Sequence, residues 1–107
     1  RGRCVKAAAT RGTILLKGPV DVVSDGGRVR FNRTGTPAMT TGGTGDLLAG
    51  VVGALFCQVP AFEAACTAAY ASGRAGMRAS EGRGNGMLAT DMLDYIPEEL
   101  FRRGAPE

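Results

Sequence analysis

The 107-residue sequence holds no histidine and no tryptophan. Without histidine there is no Ser-His-Asp triad, no imidazole general base and no His-ligated metal centre. Chemistry is left to carboxylates, lysine, backbone amides and ions that arrive with a ligand. Aromatic residues are few, two Tyr and four Phe, and no RNA- or DNA-binding motif is present, so nucleic acid is not an expected partner. Long apolar runs are missing as well. The longest uncharged stretch, 47–62, has 16 residues and is broken by Pro60, against roughly 20 needed to cross a bilayer; no membrane partner is expected. The three cysteines, Cys4, Cys57 and Cys66, form no CxxC pair. Cys57 and Cys66 lie in apolar helical patterns, where a free thiol acts as a small core residue, and the reading is a reducing, cytoplasmic compartment.

What is present is an ordinary globular balance, 44% hydrophobic and 21% charged residues, enough for one small domain. A net charge of +3 suits a small anionic ligand and is too weak to argue for nucleic acid. The chain begins at Arg1 without an initiator Met or an apolar leader, and is read as part of a longer protein. Its 17 glycines gather in turns and in two helices, where they mark close backbone approaches rather than disorder.

The order of elements is strands first, then helices. Residues 3–9 read as a helix end. Thr13–Leu16 is a short apolar run between glycines, hence a buried strand; Val20–Val23 is a second. Asp25-Gly26-Gly27 is a hairpin signal, and Arg28–Phe31 alternates as the return strand. A loop follows to Thr44. Asp46–Gln58 is apolar nearly all round, with Leu48, Val52 and Leu55 as one stripe and Ala49, Gly50, Gly53 and Ala54 as a small side; such a helix is expected to be buried. Pro60 opens an alanine-rich helix to about Ser80. Residues 81–86 read as a flexible loop, a surface turn or a mobile lid. Thr90 caps a last helix with Asp91 in its first turn, and Pro97 limits it.

The most informative stretch is Thr40-Thr41-Gly42-Gly43-Thr44-Gly45-Asp46-Leu47-Leu48-Ala49-Gly50. It joins a glycine-rich turn to an apolar helix. A helix start presents N–H groups with no intrahelical carbonyl, together with the positive end of the dipole, and so favours an anion. It is neither a Walker loop, since no Gly-Lys-Ser/Thr follows, nor a dinucleotide GxGxxG. Spacing alone fits a plain loop-to-helix turn equally well; the run of Gly and Thr favours phosphate binding. Asp46 at the junction is then placed as a base for phosphoryl transfer, a reaction that asks its base mainly for position. Lys17, after the first strand, either reaches a nucleotide phosphate or is solvated. Arg74, Arg78 and Arg83 form either a basic rim or a solvated helix face.

Leu16-Lys17-Gly18-Pro19 with Asp21, then Asp25-Gly26, then Asn32-Arg33-Thr34-Gly35-Thr36-Pro37-Ala38-Met39, then Gly42–Gly50, resembles the ADP/ATP-dependent NAD(P)H-hydrate dehydratases of the ribokinase-like superfamily. Glu63-Ala64-Ala65 and Leu88–Leu93 fit the same pattern. The Gly-Thr-Gly-Asp piece identifies the superfamily; its pairing with Lys-Gly-Pro is much more specific to this branch. The resemblance implies an α/β fold, a short β-meander followed by helices, forming the C-terminal part of one three-layer α/β/α domain across 1–107. It implies repair of NADH or NADPH whose ring has been hydrated (NADHX, NADPHX), by phosphorylation of the hydrate hydroxyl and loss of phosphate. ADP is the favoured donor, ATP the other, and Mg²⁺ comes with the nucleotide rather than on protein ligands.

By the same resemblance Asp46 is the catalytic acid, which also contacts the hydrate, and Gly43, Thr44 and Gly45 supply amides to the transferring phosphate. Lys17, Gly18, Pro19, Val20 and Asp21 match the nucleotide turn. Thr36, Pro37, Ala38, Met39, Thr40, Thr41 and Gly42 continue the nucleotide site into Gly43–Gly45. Thr36 and Ala38 stand where many members carry Asn and Gly. The remainder of a parent chain and a homo-oligomer are the implied partners, and the 107 residues alone are expected to be inactive. Two other readings stand beside this one. A ribokinase-like kinase for a vitamin precursor or sugar would use the same Asp46 and release a phosphorylated product. A non-catalytic nucleotide-binding module would hold phosphate only structurally.

Overall fold

A computed structural model describes residues 12–36, 39 and 43–102. The helix end expected over residues 3–9 and Cys4 lie outside the described residues, as do Pro37, Ala38, Thr40, Thr41 and Gly42 of the expected nucleotide site.

The three expected strands form, each within a residue of its predicted start: β1 Ile14–Leu16, β2 Asp21–Ser24 and β3 Val29–Asn32. They make one antiparallel meander in the order β1-β2-β3, with Leu15 opposite Val23 and Val23 opposite Arg30. β2 is buried along its whole length, as expected of a central strand under helices. The β2–β3 turn is closed by Asp25, whose carboxylate accepts the N–H groups of Gly27 and Arg28 at 3.0 and 2.7 Å. Gly26 takes φ 95° there, a conformation that glycine adopts without a steric penalty. Arg28 then pairs with both Asp25, at 2.8 Å, and Glu63, at 3.1 Å, and lies over the Phe62 ring. The hairpin is thereby fastened to the helix layer.

Two long helices follow, α1 (Thr44–Phe56) and α2 (Ala61–Arg83), the second with Pro60 at its N-cap. The alanines of α2 are small enough to admit close neighbours on two sides. Val23 packs on Phe62 and Ala65, and Leu48 and Val51 of α1 pack with Ala68, Ala75 and Ala79. Met87, Met92 and Ile96 close this second core from the C-terminal side.

The structure corrects several expectations. β1 is not a buried strand: Ile14 and Leu15 are half-buried and Leu16 is exposed, because β1 is an edge of the meander. Cys57 is exposed and not a core residue, since it lies just past the end of α1. α1 is not buried all round: Leu48 and Val51 are buried, while Ala49, Gly50, Gly53 and Ala54 are exposed, because the described elements meet it from one side. α2 runs on through Glu81 to Arg83, and Gly84–Gly86 is a 3₁₀ turn. Gly82 keeps the helical conformation and only Gly84, at φ 54°, leaves it, so residues 81–83 are helix rather than part of a lid or loop. The next helix, α3 (Ala89–Met92), is a single turn whose N-cap is Leu88 and not Thr90. Its capping group is Asp91, which accepts the Leu88 N–H at 2.7 Å. Pro97 does not end that helix; it leads into a π-helical turn, Glu98–Arg102. No helix among the described residues is long and apolar enough to cross a membrane.

Candidate functional site

The β1–β2 turn and the segment after β3 face each other across a cleft of about 640 Å³. One wall is Lys17, Gly18, Pro19 and Asp21; the other is Arg33, Thr34, Gly35 and Thr36, with Met39 and Gly73 between them. Gly18 and Pro19 make the turn one residue after the end of β1, and it is held from inside by Asp21. The Asp21 side chain is 4% exposed. It accepts the Gly18 N–H at 3.2 Å and pairs with Lys17 Nζ at 3.1 Å. Lys17 is therefore neither free nor simply solvated: half of its side chain is exposed and its ammonium is steered along the cleft wall. Val20 is exposed beside the turn and is not part of the cleft lining.

The second wall rests on α2. A Cβ on Gly73 would stand 2.8 Å from the Thr34 carbonyl carbon, and one on Gly76 would run into the Met39 side chain. Only glycine lets the segment lie this close to the helix. Met39 in turn ties the cleft to α1, because its carbonyl accepts the Thr44 hydroxyl at 2.8 Å. Gly43 is the N-cap of α1 with φ 94°, the left-handed conformation that favours glycine. Gly45 and Asp46 are exposed on the first turn.

Asp46 opens onto a different surface. It stands at one end of an apolar groove of about 520 Å³ between α1 and the C-terminal turns, walled by Leu47, Gly50 and Val51 on one side and by Leu93, Ile96 and Leu100 on the other. That wall is fastened by a buried carboxylate. Glu99 is 0% exposed at its side chain and is paired with Arg74 at 3.6 Å and Arg78 at 3.4 Å. Arg78 also lies over the Tyr95 ring and pairs with Glu98, and Arg83 pairs with Asp91. Arg74 and Arg78 are therefore not a solvated face but are committed to the C-terminal turns, whereas Arg83, 65% exposed, is solvated as expected and pairs with Asp91 at the surface.

The expected nucleotide residues Lys17, Gly18, Pro19, Asp21, Thr36 and Met39 thus gather around one cleft. The helix start Gly43–Asp46 adjoins it through the Met39–Thr44 bond. Arg33, Thr34, Gly35 and Gly73 were not anticipated as its lining. Among the described residues no carboxylate pairs with Arg33, which makes it the second cation of the cleft. The signal for Gly73 was its place in an otherwise alanine-rich helix.

Such an arrangement, a cationic glycine-lined cleft next to a glycine-led helix start on an α/β frame, is of the kind that handles phosphate groups. Comparison with known proteins narrows the class. The model of the NAD(P)H-hydrate dehydratase family matches residues 4–98. The bifunctional NAD(P)H-hydrate repair enzyme Nnr of Methanospirillum hungatei is 60% identical over 102 residues, covering 95% of this chain and 21% of that protein. The Nnr of Archaeoglobus fulgidus is 47% identical over 90% of this chain and 21% of its own length. The ADP-dependent (S)-NAD(P)H-hydrate dehydratase of Cenarchaeum symbiosum is 46% identical over 82% of this chain and 31% of its own length. The chain belongs to the NAD(P)H-hydrate dehydratase family, whose fold is ribokinase-like. It spans about a fifth to a third of the length of these curated relatives.

Proposed function

We propose that this chain is the nucleotide-binding, C-terminal part of a ribokinase-like domain that dehydrates hydrated NADH or NADPH at the expense of ADP, with ATP as the other candidate donor. The observation that carries the reading is the Met39–Thr44 bond at 2.8 Å. It joins the cleft of Lys17 and Arg33 to the helix turn bearing Asp46, in a chain 60% identical to an NAD(P)H-hydrate repair enzyme.

In this reading Lys17 and Arg33 hold the nucleotide phosphates along the cleft, and the amides of Gly43, Thr44 and Gly45 face the terminal phosphate at the positive end of α1. Pro37, Ala38, Thr40, Thr41 and Gly42 continue the same site. Asp46 orients the hydroxyl of the hydrate and takes its proton as the oxygen–phosphorus bond forms and the bond to the nucleotide breaks. Inorganic phosphate then leaves with cleavage of the carbon–oxygen bond, a ring proton is lost, and the reduced nicotinamide is restored. Among the described residues no group of three His, Cys, Asp or Glu side chains stands together to hold a metal ion; Mg²⁺ is proposed to arrive on the nucleotide's phosphates, where it would neutralise charge. The cytoplasm and a homo-oligomer are the proposed setting. The exposed small side of α1 supports the proposal that these 107 residues alone are inactive.

The test is to incubate the full-length protein with NADH hydrate and Mg²⁺, adding ADP or ATP in parallel, and to follow the return of reduced-nicotinamide absorbance. Nucleotide-dependent recovery that disappears in Asp46→Asn, with nucleotide binding retained, is the expected result. A folded, nucleotide-binding protein that gives no recovery would overturn the proposal in favour of a kinase of the same fold.

A further inference from the structure

The two walls of the cleft are joined by one side chain that touches neither the open cleft nor Asp46. Asn32, the last residue of β3, is 9% exposed. Its Nδ2 donates to Asp21 Oδ2 at 3.0 Å and to the Ala69 carbonyl of α2 at 3.0 Å. Its Oδ1 accepts the Thr34 N–H at 3.4 Å and lies 2.9 Å from the Thr34 hydroxyl. That hydroxyl is also 3.3 Å from the Tyr70 carbonyl, so it shares one hydrogen between the two. Both donors and both lone pairs of the Asn32 amide are engaged, which is the full capacity of the group.

We propose that Asn32 is a positioning residue for the nucleotide. Through Asp21 it orients the Lys17–Gly18 turn, and through Thr34 it orients the opposite wall, with the α2 carbonyls of Ala69 and Tyr70 as the fixed reference. Gly73 gives Thr34 the space to reach that reference. Asparagine suits the place because both a donor toward a carboxylate and an acceptor for Thr34 are needed in one planar group. Aspartate would set a second carboxylate about 3 Å from Asp21, and leucine would take away the one donor that ties Asp21 to the opposite wall, leaving its Oδ2 with Lys17 Nζ at 3.2 Å alone. The sign of the effect follows from the geometry: losing Asn32 lets the two walls move apart, while Asp46 stays on α1, which Asn32 does not touch.

The proposal rests on the cleft being the nucleotide site, and the experiment separates the two. ADP and ATP affinity are measured by calorimetry on the full-length protein and on Asn32→Ala, Asn32→Ser, Thr34→Val and Thr34→Ser, with melting curves of each. Failure of the parent protein to bind either nucleotide would overturn the cleft assignment itself. If the parent binds, Asn32→Ala is expected to weaken the nucleotide about tenfold, the equivalent of one hydrogen bond to a charged group. The KM for nucleotide should rise while kcat at saturation and the KM for the hydrate stay within about threefold. Thr34→Val should weaken binding in the same direction and Thr34→Ser should restore it; because Thr34 also lines the cleft, the Asn32 role is decided by Asn32→Ala, or by the milder Asn32→Ser where Asn32→Ala does not fold. A folded Asn32→Ala or, in its place, Asn32→Ser with nucleotide affinity unchanged would overturn the proposal, as would a Thr34→Val with affinity unchanged or a fall confined to kcat.

Discussion

Thr44 donates its hydroxyl hydrogen to the carbonyl of Met39 at 2.8 Å, and through that bond the loop on the cleft side is joined to the helix that bears Asp46. Met39 is itself seated over Gly76 of α2. Cleft, helix start and the long helix beneath them are therefore mechanically one unit, although their residues lie far apart in sequence.

A first prediction follows from Thr44. Thr44→Val keeps the shape of the side chain and removes the donor, leaving the Met39 carbonyl without its hydroxyl partner. The expected cost is about 1 kcal/mol, read as a fall of roughly fivefold in kcat/KM of the full-length enzyme. Thr44→Ser should behave like the parent. Equal kcat/KM in the Val and parent proteins would show that the bond does not couple loop to helix.

Gly73 and Gly76 make a contrasting pair. At Gly73 a methyl group meets the backbone of Thr34, whereas at Gly76 it meets only the flexible side chain of Met39. Backbone cannot step aside as a thioether can. Gly73→Ala is expected to destabilise by about 1–3 kcal/mol and to weaken nucleotide binding, and Gly76→Ala should do less of both. Urea denaturation with and without ADP measures each. A larger loss at position 76 than at 73 would contradict the packing described.

The C-terminal turns offer a test of the buried carboxylate. Arg78 is the pivot, since it meets Glu98 and Glu99 and covers the Tyr95 ring. Its removal leaves the fully buried Glu99 with Arg74, 3.6 Å away. An incompletely compensated buried charge is strongly destabilising, and Arg78→Ala should cost on the order of 3 kcal/mol. Arg83→Ala breaks only an exposed pair with Asp91 and should cost less than about 1 kcal/mol. Chemical denaturation of the two variants side by side decides it; similar losses would mean that Glu99 is not held by Arg78.

Much of this arrangement was legible from the sequence, and for a local reason. The strands and the hairpin are punctuated by Gly18-Pro19 and Asp25-Gly26, whose turn chemistry acts over two to four residues. The start of α1 is likewise marked by the glycines that precede it. What could not be read has partners far away. Asn32 looks like the polar end of a strand until Asp21, 11 residues back, and Ala69, 37 residues on, are brought to it. Arg78 looks solvated until the turn 20 residues later folds onto it. The exposed side of α1 was misjudged because composition reports how apolar a helix is and not what lies beside it. The long run of α2 through residues 81–83 was missed because Glu-Gly-Arg resembles a loop in composition, yet only Gly84, with φ 54°, leaves the helix.

The hairpin turn yields a prediction in pH. The Arg28 N–H and the Arg28 guanidinium both bond the Asp25 carboxylate, and the two together hold its pKa below the ordinary value of 3.8. Glu63 is lowered as well, by its own backbone N–H first and by Arg28 second. A carboxyl whose pKa is depressed by folding stabilises the folded state above its unfolded pKa, and that contribution is lost as the pH falls through the folded value. The hairpin's attachment to α2 should therefore be at full strength at neutral pH and begin to weaken only as the pH drops below about 5, with the loss completed below the ordinary carboxylate range. Asp25→Asn removes the charge and keeps an acceptor for the two N–H groups. Its stability should be slightly below that of the parent at pH 7 and should fall less steeply on acidification. Melting curves between pH 7 and pH 3 compare the slopes. Parallel curves for parent and variant would show that Asp25 carries none of the acid sensitivity, and would leave it to Glu63.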